Sequence, residues 1–169
     1  STYHFLEKVI DEIVQMYQDA GVELTAFHVG GDEVPEGIWE GSSICRTFMQ
    51  ENGLTKIREL KDYFLEQILE MLDKRNIQAV GWQDIVMNPD NTVNEHFRNS
   101  KVLNYCWNTI PEQGGDEVPY KLANAGYPII LCNVGNFYLD MTYCYHVEEP
   151  GLRWGGYVDE YVTFDMLPF

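Results

Sequence analysis

Positive charge is scarce in this sequence: 11 Lys and Arg stand against 27 Asp and Glu in 169 residues, a formal net charge of −16. Nucleic acid and anionic membrane surfaces would repel such a chain, so both are excluded as partners, while neutral and cationic ligands stay open. No apolar run approaches the roughly 20 residues that a membrane-spanning helix needs. Cysteine is sparse, and Cys45, Cys106, Cys132 and Cys144 show no CxxC spacing, which argues against a thiolate metal site. Cys106 and Cys132 sit in apolar strand-like runs, where buried thiols are expected, and a disulfide stays open. Neither a GxGxxG nor a P-loop is present, so the nucleotide-binding fingerprints are missing. Signal peptide, initiator methionine, linker and low-complexity segment are also lacking. A chain that opens on a capped helix reads as cut from something longer.

What is present suits a globular α/β domain. Hydrophobic residues make up 45% of the chain, enough to bury a core. The 11 Tyr and 4 Trp suit sugar binding as well as core packing. Leu6, Val9, Ile10, Ile13 and Tyr17 fall on one helical face ended by Gly21. "VELTAFHVGG" reads as a strand, followed by a polar, Gly-containing loop through Asn52-Gly53. Residues 55–74 form the clearest helix, with Ile57, Leu60, Phe64, Ile68 and Leu72 on one stripe. "IQAVGWQDIV" and "KVLNYCW" read as strands, separated by a polar stretch over residues 88–100 with a short helix. "DEVPYKLANAG" reads as a helix closed by Gly126, "YPIILCNVGNFYLD" as a fourth strand, and an aromatic, Gly-rich tail ends the chain.

Alternating helices and near-continuous apolar strands predict a parallel sheet covered by helices. Each strand ends in polar or aromatic residues: Asp32-Glu33, Trp82-Gln83-Asp84, Trp107-Asn108 and Tyr138-Leu139-Asp140. Ligands of parallel α/β folds sit at the carboxyl ends of the strands, and four ends loaded in this way point to a (β/α)8 barrel. A whole barrel takes about 250 residues. The expectation is therefore one partial barrel domain over residues 1–169, about four consecutive βα units, roughly strands 4 to 7.

"FHVGGDEVPEG", residues 27–37, is the most unusual stretch. Side chains alternate along a strand, so His28, Gly30 and Asp32 share one side. Glu33 would face away unless the chain bends there, and Gly30 and Gly31 permit the bend. Adjacent carboxylates titrate in separate steps, because ionising the first raises the cost of ionising the second. A pair divided into an anion and a proton donor is what glycosidic bond cleavage uses. A solvated acidic loop or a hard-cation site would use the same residues.

"HVGGDEV" resembles the signature of family-20 glycoside hydrolases, the β-N-acetylhexosaminidases. "GWQDI", "NYCW", "FYLD" and "EPGLRWGGYVDE" follow in that family's order. The resemblance implies hydrolysis of terminal, non-reducing β-linked N-acetylhexosamine residues with retention, the substrate's acetamido oxygen acting as nucleophile through an oxazolinium intermediate. It implies Glu33 as general acid, Asp32 as the anion that orients the acetamido group, and Tyr138 as hydroxyl donor to the acetamido oxygen. Asp140 would accept from sugar hydroxyls. Trp82 and Trp107 would wall the pocket, with Trp154 on the leaving-group side. Trp39 reads as loop packing, His28 as a hydrogen-bonded interior histidine, and Asp84 as part of the pocket rim or a surface cap. No cofactor and no metal are implied. The implied partners are glycans or glycoconjugates ending in N-acetylhexosamine, and the implied location is exported (periplasmic or secreted) or lysosomal.

The chain departs from the family pattern in lacking the early strands with their sugar-gripping arginine and the last strand with its Trp-x-Glu. Gln83 stands where an acid is commoner. The expectation is a chain with little or no activity by itself, whose open strand edges pair with another copy or with further sequence. Two other classes compete: a non-catalytic carbohydrate-binding or scaffold piece, and a barrel hydrolase with a metal on His28, Asp32 and Glu33. The absence of a second His at ligand spacing counts against the latter.

Overall fold

The first helix starts at a serine cap. Ser1 Oγ accepts from the His4 amide (3.4 Å) and opens α1 (Thr2–Asp19). In the computed structural model, which describes residues 1–35 and 37–167, the chain divides into two compact units, residues 1–80 and 81–169.

In the first unit α1 is followed by β1 (Ala26–His28), α2 (Ser43–Glu51), α3 (Glu59–Asp73) and the start of β2 (Gln78–Trp82). α1 buries Ile10 and packs against α3, which buries Leu65, Ile68, Met71 and Leu72. Tyr3 adds ring contacts to Tyr63 (6.4 Å) and Phe64 (6.1 Å). β1 and β2 pair in parallel with Phe27 opposite Ala79 and His28 opposite Val80.

The structure shifts the expected boundaries. α3 begins at Glu59 rather than at residue 55. The Glu59 carboxylate accepts from the amides of Thr55 (2.6 Å) and Lys56 (3.0 Å) and so turns the chain before the helix. The polar segment before it is no simple loop, because it holds α2. Ser42 caps α2 by accepting from the Cys45 amide, and Phe48 packs edge-on against Tyr63 at 5.1 Å. Its apolar residues Ile44, Cys45, Phe48 and Met49 recur at helical spacing, but across nine residues that stripe is too short to stand out from a polar loop.

In the second unit the end of β2 runs into a 3₁₀ turn, Gln83–Ile85. A second 3₁₀ segment, Glu95–Ser100, is capped by Asn94. Then come β3 (Leu103–Cys106), α4 (Val118–Asn124), β4 (Ile129–Leu131), α5 (Val134–Phe137) and α6 (Glu160–Phe164). β3 and β4 pair in parallel, Asn104 opposite Ile129 and Cys106 opposite Leu131. α4 packs on β4 and buries Val118 and Leu122. A satellite core of Val134, Met141 and Val158 carries the segment after β4. The chain is thus α/β with parallel pairing in each unit.

Two further expectations are corrected here. The fourth strand does not run to Asp140: it stops at Leu131, and α5 intervenes. The Val134 amide donates to the Trp107 carbonyl (2.9 Å), the Phe137 amide to Asn133 (2.9 Å), and Val134 is buried against the satellite core. Tyr138 and Asp140 therefore do not share an extended strand. The tail contains α6, capped by Asp159, whose Oδ1 accepts from the Val162 amide (2.8 Å). Pro168 and Phe169 lie outside the described residues.

Candidate active site

Asp32 and Glu33 follow β1, Trp82 ends β2 and Trp107 follows β3, whereas Tyr138, Asp140 and Trp154 lie in the segment after β4, beyond α5. After β1 the Val29 amide still donates to the Val80 carbonyl (2.8 Å). The backbone then leaves the extended region: Gly30, Gly31 and Glu33 have φ of 70°, 94° and 46°. Two of these positions are glycine, for which left-handed backbone is free of Cβ strain; at Glu33 the same conformation carries some cost. This is the kink that the glycine pair predicted.

A side-chain hydrogen bond spans the kink. The Gly30 amide donates to His28 Nδ1 (3.1 Å), so this imidazole nitrogen is unprotonated. Asp32 Oδ1 lies 3.9 Å from the position of a Cβ added at Gly30. His28 is exposed rather than interior as the sequence suggested; partial desolvation still lowers its pKa below the ordinary value, and the Asp32 charge acts in the opposite direction. Asp32 and Glu33 are both exposed.

In the second unit the aromatic candidates assemble around one ring. Trp154 meets Trp107 at 6.0 Å and Tyr138 at 5.9 Å, both edge-to-face. The Tyr138 ring also packs on the satellite core. Gly155 lets this cluster close, since a Cβ there would lie 2.4 Å from Val134 Cγ2. Trp82, at the end of β2, packs edge-on against Tyr105 of β3 at 6.0 Å. Asp140 is exposed in the turn after α5, its carbonyl accepting from the Leu152 amide (2.7 Å).

Sequence reasoning missed the role of Gln83. Its side chain is 5% exposed, and its Oε1 accepts from the amides of Trp107 (3.0 Å) and Asn108 (3.3 Å). The available signal was a polar side chain directly after a buried apolar strand. Asp84 belongs to the same constellation, with Oδ2 accepting from the Trp107 indole Nε1 (2.7 Å). Asp84 therefore contacts the Trp107 side chain rather than standing free on the surface.

The four cysteines are free thiols, and burial pushes Cys106 up to about 12. Among the described residues no three His, Cys, Asp or Glu side chains gather as a metal-holding group. The chemistry available is thus a kinked pair of carboxylates in one unit and a wall of indole and phenol rings in the other.

Comparison with known proteins gives one family. The description "Glycosyl hydrolase family 20, catalytic domain" matches residues 1–168. A β-hexosaminidase of Vibrio vulnificus is 29% identical over 171 residues, 99% of this chain and 20% of that protein. A β-hexosaminidase of Vibrio furnissii is 31% identical over 156 residues, 92% of this chain and 22% of that protein. Among solved structures, the exo-β-N-acetylglucosaminidase of Vibrio harveyi in complex with N-acetylglucosamine superposes with a TM-score of 0.78 at 27% identity, covering 98% of this chain and 23% of that one. The chain therefore spans about a fifth of the length of these relatives.

Proposed function

The chain belongs to glycosyl hydrolase family 20, and from that premise we propose that it is part of the catalytic domain of a β-N-acetylhexosaminidase releasing terminal, non-reducing N-acetylhexosamine from glycans. The observation that carries this reading is the bend at residues 30–33, where three left-handed residues precede or hold the two acids. It is supported by the family match along the whole described chain and by the Trp107–Trp154–Tyr138 ring cluster.

In the proposed mechanism Glu33 gives its proton to the glycosidic oxygen as the bond from that oxygen to the anomeric carbon breaks. The substrate's acetamido carbonyl oxygen forms a new bond to the same carbon, giving an oxazolinium ring. Asp32 orients the acetamido group and stabilises the charge developing on its nitrogen. Tyr138 donates to the acetamido oxygen and sets its line of attack. Glu33, now a carboxylate, takes a proton from water; the water oxygen bonds to the anomeric carbon and the ring opens with retention. Trp82, Trp107 and Trp154 offer flat apolar faces to the sugar, and Asp140 accepts from its hydroxyls. The 169-residue chain is expected to turn over little by itself, because the family's arginine and Trp-x-Glu are not among its residues.

The test compares chromophore release from an N-acetyl-β-glucosaminide and from the matching non-acetylated glucoside by the full-length protein. Strong preference for the acetylated substrate is expected, and equal rates would remove the neighbouring-group mechanism. Glu33→Gln should lower kcat roughly 10²- to 10⁴-fold while sugar affinity persists. Unchanged turnover in that variant would remove Glu33 from the acid role, whereas a full-length parent that binds the sugar without turning it over would leave the non-catalytic binding reading in its place.

A further inference from the structure

Trp107 is the most constrained of the aromatic candidates. Its amide donates to Gln83 Oε1 (3.0 Å), its carbonyl accepts from the Val134 amide (2.9 Å), and its indole N–H donates to Asp84 Oδ2 (2.7 Å). Its ring edge meets Trp154 at 6.0 Å. The first two contacts fix the backbone from both sides, but neither sets the side-chain torsions. An indole anchored only by its backbone could turn its N–H elsewhere; an anionic acceptor at 2.7 Å selects one ring orientation. Because Gln83 and Asp84 are consecutive residues at the end of one strand, a single backbone turn sets both anchors. Trp107 is only partly buried, as a residue that walls a ligand must be.

We infer that Asp84 is a positioning residue for the proposed sugar-binding site: it orients the Trp107 indole before substrate arrives, while Gln83 holds the backbone that carries it. This rests on the hexosaminidase reading and extends it to a residue that does not touch the sugar. Preorganisation of this kind is felt in kcat/KM, because the cost of ordering the ring is met in folding rather than on binding.

A double-mutant cycle in the full-length protein tests it, with an N-acetyl-β-glucosaminide as substrate. Asp84→Ala should lower kcat/KM about tenfold, the usual scale for losing a hydrogen bond to a charged partner. Asp84→Asn keeps an acceptor oxygen and should recover most of that loss. In a Trp107→Phe background, which has no indole N–H, Asp84→Ala should cost less than about twofold more. Equal losses in both backgrounds would show that Asp84 supports the fold generally and would overturn the inference. So would an Asp84→Ala enzyme within twofold of the parent, which would leave the hexosaminidase reading standing. A parent without acetamido-selective turnover removes that reading and this inference together. Should Asp84→Ala fail to fold, the indole proton resonance of Trp107 in ¹⁵N-tryptophan-labelled parent and Asp84→Asn decides. An upfield move in the variant is expected, and an unmoved resonance overturns the assignment.

Discussion

At the scale of single residues, the left-handed conformations at Gly30, Gly31 and Glu33 do what no side chain could do alone: they turn the strand end so that consecutive carboxylates need not face opposite ways. His28 ties this turn to pH. Its Nδ1 accepts the Gly30 amide (3.1 Å), and partial desolvation holds its pKa below the ordinary value of about 6.5 against the opposing pull of Asp32. The fold therefore binds fewer protons here than the unfolded chain. The stabilising contribution is present above the unfolded pKa and is lost as pH falls through the folded one. An NMR titration of the His28 ring should show a midpoint below about 6.5, with the Gly30 amide shifting in step. Asp32→Asn should move the midpoint further down, since the charge that favours the imidazolium is gone. A midpoint at or above the ordinary value would contradict this account of the bend.

At the scale of elements, two contacts in the first unit differ sharply in worth. Arg75 pairs with Asp11 at 2.6 Å, but the Asp11 side chain is 59% exposed, and pairs of that kind contribute at most about 1 kcal/mol. Leu72 of α3 is fully buried, and its truncation removes transfer energy and opens a cavity, typically costing about 3 kcal/mol. Chemical denaturation should therefore separate Leu72→Ala from Asp11→Ala by roughly 2 kcal/mol or more. Comparable losses would mean that the α1–α3 contact is held by charge rather than by packing. The stripe on α3 was legible because its period is long enough to count. α2 and α5 were not: α2 runs for only nine residues, and the single turn of α5 hides inside an apolar run that also reads as strand. For α5 the deciding contacts are distant in sequence, the Val134 amide on the Trp107 carbonyl and the Val134 side chain among Met141 and Val158.

At the scale of the whole molecule, strong negative charge coexists with exposed apolar side chains. The net charge of −16 opposes anionic partners and slows self-association at low salt. Yet Phe5, Ile44, Leu139, Tyr145, Val147 and Phe164 are each 65% exposed or more. So much accessible apolar surface favours association once charge is screened. Sedimentation of the 169-residue chain should show concentration-dependent association that strengthens with salt. A monodisperse monomer at all concentrations and salt levels would count against the exposed surface acting as an interface.

The sequence alone determined the α/β class and the family and singled out the acids and aromatic rings as candidates, because these depend on local periodicity and on motifs whose spacing is set by chain geometry. The glycine pair before Asp32 even carried the direction of the backbone, since few other residues tolerate that bend. Tertiary structure alone decided where the last strand stops and how Trp107 is held. Both depend on hydrogen bonds between groups some 20 residues or more apart: Gln83 with Trp107, Asp84 with the Trp107 indole, and Trp107 with Val134. Such bonds leave no periodic trace in the chain, because the energy of each belongs to a pair of residues that only folding brings together.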